Sequence, residues 1–283
     1  MIIINSVAEM QHTAKKLRKE NKRIAVVPTM GCLHEGHLQL VDRAVKEADK
    51  VIVTIFVNPS QFGPGEDFES YPRTFAADCE ACEARGADMV FAPGAGEIYA
   101  ADFSCWVNEE QLAAGLCGES RPGHFRGVTT VVAKLFNITL PDVAVFGQKD
   151  AQQALVISRM VRDLNFPVEV VIAPIVRAAD GLALSSRNKY LSAEQRRRAP
   201  VIHQALSAMR KRLERRPIER ITEEIAFFKQ TIREVGGETD YIKIVDSSTL
   251  AEPAAVTKEL LLAAAVFFGE TRLIDNEIVK LNQ

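Results

Sequence analysis

Long apolar runs are missing from this sequence. The longest, Leu260–Phe268, has nine residues, far short of the roughly 20 that a helix needs to cross a bilayer. It reads as a buried strand, and no membrane association is expected. Met1–Met10 has neither a basic start nor an apolar stretch ending in small residues, so no secretory leader is expected and the cytoplasm is the default location. Excess charge of one sign is missing too. A formal net charge of -2 gives no general attraction to nucleic-acid or membrane phosphates, and small-molecule partners fit better. Cysteine is scarce and odd in number, at five, which speaks against a disulfide framework. Cys79 and Cys82 have a CxxC spacing, but a zinc site needs two more ligands, and Cys105 and Cys117 stand alone without a neighbouring histidine. Inside Asp78–Arg85 the pair reads as helical rather than as a metal or redox site. Internal repeats and low-complexity segments are also lacking, which removes solenoid architectures.

What is present is enough apolar residue for a large core and a second, smaller one: 47% of 283 positions. The first half alternates strand and helix signals. Arg23–Pro28 reads as a strand, followed by a glycine-containing loop and an amphipathic helix over about 37–48. Val51–Val57 reads as a fully buried strand stopped by Asn58-Pro59. Further helices are expected at Phe75–Arg85, closed by Gly86, and at Ala151–Leu164. Further strands are expected at Met89–Phe91, Val143–Phe146 and Val168–Ile172. This alternation predicts an α/β fold, a doubly wound parallel sheet of Rossmann-like type with ligands at the carboxyl ends of its strands. After about Arg177 the texture changes. Two long polar helices, about Ala193–Leu213 and Ile218–Val235, precede strands at Tyr241–Val245, Leu260–Phe268 and Leu273–Ile274. Two domains are expected, residues 1–176 and a smaller α+β lid, residues 177–283.

Four polar constellations fall at loop positions. Pro28-Thr29-Met30-Gly31-Cys32-Leu33-His34-Glu35-Gly36-His37 lies between a strand and a helix. A helix start offers unpaired N–H groups and a positive dipole end, and two imidazoles three residues apart add donors beside it, which suits a phosphate. The same histidines could also simply cap the helix. Phe146-Gly147-Gln148-Lys149-Asp150-Ala151-Gln152-Gln153 is a second strand-to-helix passage. Gly147 allows close backbone approach, Lys149 carries a mobile charge, and Gln153 lies one turn on. An ordinary turn with Asp150 as cap is the alternative. Leu184-Ser185-Ser186-Arg187-Asn188 offers two hydroxyls and a guanidinium for phosphate oxygens, or a turn leading to the Ser192 cap. Phe56–Phe68, with Tyr71-Pro72-Arg73 after it, places apolar rings beside Asn58 and Gln61, a lining for a hydroxylated aliphatic molecule or a plain surface connection.

Taken together, these motifs resemble the pantothenate synthetase (pantoate:beta-alanine ligase) family over nearly the whole chain. PTMGCLHEGH differs from the family's PTMGALHEGH by Cys32 in the alanine position, and FVNPSQFGPGEDFESYP, SRPGHFRGV at Ser120–Val128, FGQKDAQQ and LALSSRN follow in family order. The resemblance implies a nucleotidyltransferase-type fold and an AMP-forming condensation of pantoate with beta-alanine, releasing AMP and pyrophosphate through an enzyme-bound pantoyl adenylate. It implies ATP as substrate with Mg2+, and a homodimer. Met30 through His37 would line the ATP site, His34 and His37 at the phosphates and His37 as proton donor. Gly147, Gln148, Lys149, Asp150, Val176, Leu184, Ser185, Ser186 and Arg187 would also meet ATP, with Lys149 and Arg187 catalytic in carrying positive charge. Gln61 and Gln153 would hold pantoate and beta-alanine. Asp78 is a candidate contact for magnesium-bound ATP; Arg121 and Tyr71 are weaker candidates for substrate contact.

Two other readings exist. One is a nucleotidyltransferase with the same histidine loop that makes no amide. The other is an RNA-binding module built on Arg196-Arg197-Arg198, Arg210-Lys211-Arg212 and Arg215-Arg216. Interspersed Glu194, Glu214, Glu219, Glu223 and Glu224 favour a solvated helix face over the latter, so no nucleic-acid partner is expected.

Overall fold

The computed structural model describes residues 1–214, 220–254 and 256–281. The chain forms two compact units, Met1–Gly147 with Gln153–Pro174, and Gln148–Gln152 with Ile175–Gln283.

In the first unit the elements run β1 (Ile2–Ile4), α1 (Val7–Lys19), β2 (Ile24–Thr29), α2 (Glu35–Glu47), β3 (Lys50–Ile55), α3 (Phe75–Ala84) and β4 (Met89–Phe91). The short α4 (Ala95–Ile98) and α5 (Cys117–Ser120) precede α6 (His124–Thr139), β5 (Val143–Gly147), α7 (Ala151–Asp163) and β6 (Glu169–Ala173). The strands form one sheet in the order β1-β4-β3-β2-β5-β6, and every pairing is parallel. Such a sheet is buried on both faces. Ile24, Val26, Ile52 and Phe91 meet Met10, Val132, Phe136 and Ile157 on one side. Ala25, Val27, Val51 and Val53 meet Leu40, Val41, Ala44, Cys79 and Cys82 on the other. The alternation along β2 and β3 is therefore a division between two apolar layers, not between core and solvent.

From β2 the chain first adds β3 and β4 on one side, then returns to place β5 on the other side of β2. The order reverses between β2 and β5, where the carboxyl ends of adjacent parallel strands leave a crevice. Val26 pairs with Ala144, so Thr29 and Gly147 end their strands at the same level.

The second unit holds α8 (Ala193–Arg198), α9 (Val201–Leu213), α10 (Ile221–Glu234), β7 (Glu238–Asp246), β8 (Glu259–Phe268) and β9 (Thr271–Lys280). The three strands make an antiparallel sheet in the order β7-β8-β9. Ile202, Leu206, Met209, Phe228 and Ile232 pack with Leu260, Leu262, Leu273 and Val279 to form its core.

Several expectations need correction. The single helix predicted over Ala193–Leu213 is two, because Pro200, which has no N–H to continue the ladder, stands between them. The Ser192 cap is present as a capping box with Gln195. The strand predicted at Leu273–Ile274 runs from Thr271 to Lys280; its polar residues concealed the period. The helix α6 and the pair β1–α1 carried no recognised signal. In α6 the glycine Gly127, close behind Gly123, breaks the pattern that the sequence reading looks for.

Candidate active site

The loop after β2 is shaped by one carboxylate. Asp78, buried on the first turn of α3, accepts the backbone N–H groups of Cys32 at 2.9 Å and Leu33 at 2.8 Å and the Thr74 hydroxyl at 3.1 Å. Those bonds hold two successive residues in the left-handed region, Gly31 at φ 81° and Cys32 at φ 50°. Glycine avoids the Cβ clash there, whereas Cys32 needs support from its surroundings. A methyl group on Gly31 would also stand 3.1 Å from the Asp78 carboxylate. Asp78 thus commits both oxygens to the loop. This anchoring of the loop is the role that the structure gives Asp78, the candidate contact of the sequence reading.

His34 is the N-cap of α2, its Nδ1 accepting the Gly36 N–H at 3.1 Å. In the neutral ring this bond leaves the proton on Nε2, which makes that nitrogen a donor. His37 lies in the first turn, with ring centroids 4.1 Å apart. Capping and ligand binding are therefore compatible: one nitrogen of His34 ends the helix while the other carries an N–H. Glu35 turns its carboxylate to Arg85, at 2.9 and 2.8 Å, so only its backbone belongs to this loop.

A polar cluster lies beside it. Asn58 and Gln61 are buried on the turn that follows β3. The Asn58 amide donates to Gln61 Oε1 at 3.0 Å and to the Gly127 carbonyl at 3.2 Å, and the Gln61 amide donates to Met30 Sδ at 3.1 Å. Gly127 of α6 makes this approach possible, since a Cβ there would sit 2.3 Å from the Ser60 carbonyl oxygen. The Gln61 carbonyl is in turn met by His124 Nδ1 at 2.8 Å. Arg121 binds Glu66 through two nitrogens, at 2.7 and 2.6 Å. Burial alone would raise the Glu66 carboxyl, but the Arg121 bonds and charge outweigh it and hold it below its ordinary value. Tyr71 is buried edge-on to Phe62. Arg121 and Tyr71 thus brace the loop that carries Gln61. Met30 and Asp78 also line a cavity of about 310 Å³ with Gly31, Ile55, Val57 and Arg73, at the carboxyl ends of the strands. Gln153 stands half-buried near the start of α7.

In the second unit, Gln148–Asp150 form a 3-10 turn, with Lys149 Nζ 3.3 Å from Asp150. Val176 and Leu184 face each other across a short antiparallel ladder: Leu184 N–H donates to the Val176 carbonyl at 2.9 Å, and Arg177 bridges Ala183. Ser185 caps the 3-10 turn Ser186–Tyr190, accepting the Arg187 N–H at 3.3 Å. Sequence reading missed the groups that hold these segments, Asp275 and Asn276, both buried on β9. Two adjacent polar residues between Leu273 and Val279 were the available signal.

Both members of the cysteine pair are buried on α3. Burial, with smaller contributions from Cys79 and Asp78, pushes the Cys82 thiol up to about 12. Arginines of the proposed RNA surface are paired: Arg196 with Asp180, Arg198 with Glu194, Arg210 with Glu214 and Arg212 with Glu224. Arg215, Arg216 and Glu219 lie outside the described residues. Among the described residues no helix is long and apolar enough to cross a membrane.

Known proteins resemble this chain along nearly its whole length. The pantoate-beta-alanine ligase family model matches residues 2–278. Pantothenate synthetase of Clostridium novyi is 52% identical over 285 residues, covering 100% of both chains, and that of Moorella thermoacetica is 50% identical over 282, again covering 100% of both. The crystal structure of pantothenate synthetase from Thermus thermophilus superposes with a TM-score of 0.91 at 45% identity, covering 98% of this chain and 99% of that one. Pantoate-beta-alanine ligase from Francisella tularensis, complexed with beta-gamma ATP and beta-alanine, gives a TM-score of 0.81 at 33% identity, covering 98% and 97%. With its histidine loop at the reversal point of a parallel sheet and a family match along nearly its whole length, the chain belongs to the pantoate-beta-alanine ligase family and is a ligase.

Proposed function

We propose that this enzyme condenses pantoate with beta-alanine using ATP, through a pantoyl adenylate held on the enzyme. The observation that carries the mechanism is the His34–His37 pair at the start of α2, where Asp78 anchors the loop and two imidazoles stand beside the positive end of the helix. A free carboxylate is a poor acyl donor. Its mixed anhydride with AMP has a good leaving group, so attack of the pantoate carboxylate on the α-phosphorus makes the carbonyl reactive and releases pyrophosphate. The beta-alanine amine then attacks that carbonyl and AMP departs. Catalysis of this kind rests on positioning and on stabilising phosphate charge, both of which preorganised donors supply.

In this reading the Met30–His37 backbone and the positive end of α2 receive phosphate oxygens. His34 donates from Nε2, and His37 is the proton donor to the departing group. Gln61, oriented by Asn58 and Met30, holds pantoate through its amide, and Gln153 serves the same substrate. In the second unit, Gln148–Gln152 with Ile175–Gln283, Lys149 and Arg187 supply positive charge, Val176 offers its backbone to adenine, and Leu184, Ser185 and Ser186 complete the nucleotide contacts. Gly147 lets the backbone come close.

Magnesium fits as part of the substrate rather than as a resident of the protein. Among the described residues no three His, Cys, Asp or Glu side chains gather as ligands, and Asp78 is committed to the loop. A hard cation bridging phosphate oxygens needs few protein groups. We place the enzyme in the cytoplasm as a homodimer; elution as a monomer in gel filtration would refute the latter. The defining assay is pyrophosphate release from Mg-ATP and pantoate, with and without beta-alanine, the products identified by mass. Pantothenate and AMP should appear only when both acids are present. ATP binding without either product would refute the assignment.

A further inference from the structure

Strand β9 carries two adjacent polar residues, Asp275 and Asn276, that are 4% and 3% exposed. Adjacent residues on a strand face opposite sides of the sheet. Asp275 shares the face of Leu273 and Val279, both in the core under α9, and Asn276 takes the other. There β8 presents Ala263 as its cross-strand neighbour, a residue small enough to leave room for a polar side chain and the chain it binds.

Each residue ties down a different segment. The Asn276 amide donates to the carbonyl oxygens of Gln148 at 2.9 Å and Lys149 at 3.0 Å, and its oxygen accepts from Gln148 Nε2 at 3.2 Å. One carboxamide thereby satisfies three groups of a turn that makes few ladder bonds of its own. Asp275 receives Arg177 through two nitrogens, at 2.6 and 2.9 Å, and the same guanidinium donates to the Gly181 carbonyl at 3.2 Å. Arg177 is the bridging residue of the ladder that sets Val176 opposite Leu184. The two residues are linked as well, since the Asn276 N–H donates to Asp275 Oδ1 at 2.8 Å.

We propose that Asp275-Asn276 is a positioning pair for the nucleotide half of the reaction: Asn276 sets Lys149 and Asp275 sets Val176 and Leu184–Arg187, so that one strand places every second-unit segment that meets ATP. The inference rests on the residue roles proposed above. An isolated buried amide would do little for stability alone, because a buried polar group gains only when fully bonded. Here every Asn276 side-chain bond ends on the turn that presents Lys149. Neither residue touches substrate; both act through the backbone they hold.

The test is steady-state kinetics and calorimetric ATP binding on the full-length enzyme carrying Asn276→Ala, Asn276→Asp or Lys149→Ala, and on the Asn276→Ala/Lys149→Ala double variant. Asn276→Asp keeps the acceptor for Gln148 and loses both donors. The expected result is a rise in KM and Kd for ATP of about tenfold or more in both single Asn276 variants, with KM for pantoate and beta-alanine within about twofold. In the Lys149→Ala background, Asn276→Ala should add little further loss of ATP affinity, because the residue it positions is gone. Unchanged ATP affinity in either folded Asn276 variant would overturn the proposal. So would a fall in all three affinities that follows the loss of melting temperature, which marks a purely structural residue. Failure of the underlying reading is separately visible: wild-type enzyme would then make no pantothenate, or Lys149→Ala would bind ATP as wild type does.

Discussion

The loop after β2 and the turn at Gln148–Asp150 meet similar demands by opposite means. The first turns N–H groups inward to a buried carboxylate, Asp78, and sets two imidazoles at the helix start. The second turns carbonyl oxygens to a neutral carboxamide, Asn276, and presents a cation. An ionised acceptor makes bonds roughly twice as strong as neutral ones, and it also supports a cysteine at positive φ. The first loop is therefore built to be rigid, the second to be held with less force. In both, the main anchor, Asp78 or Asn276, reaches the loop from a distant element of the chain.

The largest effect that would sharpen this contrast is His37→Ala. As a general acid its removal should cut kcat by about 10²–10⁴-fold, with an unchanged melting temperature. An activity loss below about tenfold would move the proton transfer elsewhere. Asp78→Ala comes next, since two backbone donors and a hydroxyl lose their acceptor. A destabilisation of about 2–4 kcal/mol by urea denaturation is expected, with lost ATP binding. If ATP affinity survives, the loop does not depend on its anchor. Gly127→Ala should cost about 1–3 kcal/mol through overpacking and raise KM for pantoate, because its Cβ would force α6 away from the turn bearing Gln61.

The smallest expected effect is on acid stability. Glu66 in the first unit and Asp246 in the second both have lowered carboxyl values in the fold. For Asp246 the value is about 2, set first by its bond from Ser248, with burial opposing. A depressed folded value stabilises above the unfolded one and is lost as pH falls through the folded one. Asp246→Asn should therefore flatten the stability profile between about 4 and 2, and Arg121→Gln should remove the Glu66 contribution lost below its ordinary value of 4.5. Unchanged acid profiles in both variants would show that neither carboxyl is linked to folding.

Much of the fold is legible in the sequence because its signals are local. Met89–Phe91 reads with the bounds it has, and β2, β3 and β5 within a residue or two, because short β-branched runs ended by glycine or proline leave few alternatives. The histidine loop is legible for the same reason: strand, glycine, histidine pair and helix start follow one another closely along the chain. What escapes is non-local. Asp78 is 45 residues from Leu33 and Asn276 is 127 from Lys149, and no spacing rule links a strand amide to a distant turn. The helix α6 escapes since its glycine, Gly127, looks like a breaker until Ser60 is seen against it.

By itself, the sequence determined the alternation that makes a parallel sheet, the strand-to-helix loops that carry the candidate site, and the motifs that mark the family, all properties of neighbouring residues. Only the tertiary structure decided the strand order that reverses beside β2, the bonds of Asp78 to backbone N–H groups, the capping of α2 by His34, and the hold of β9 on two distant segments. The reason is physical: a hydrogen bond or a packing contact acts over a few ångströms of space, and which residues come that close is settled by the chain's return to itself.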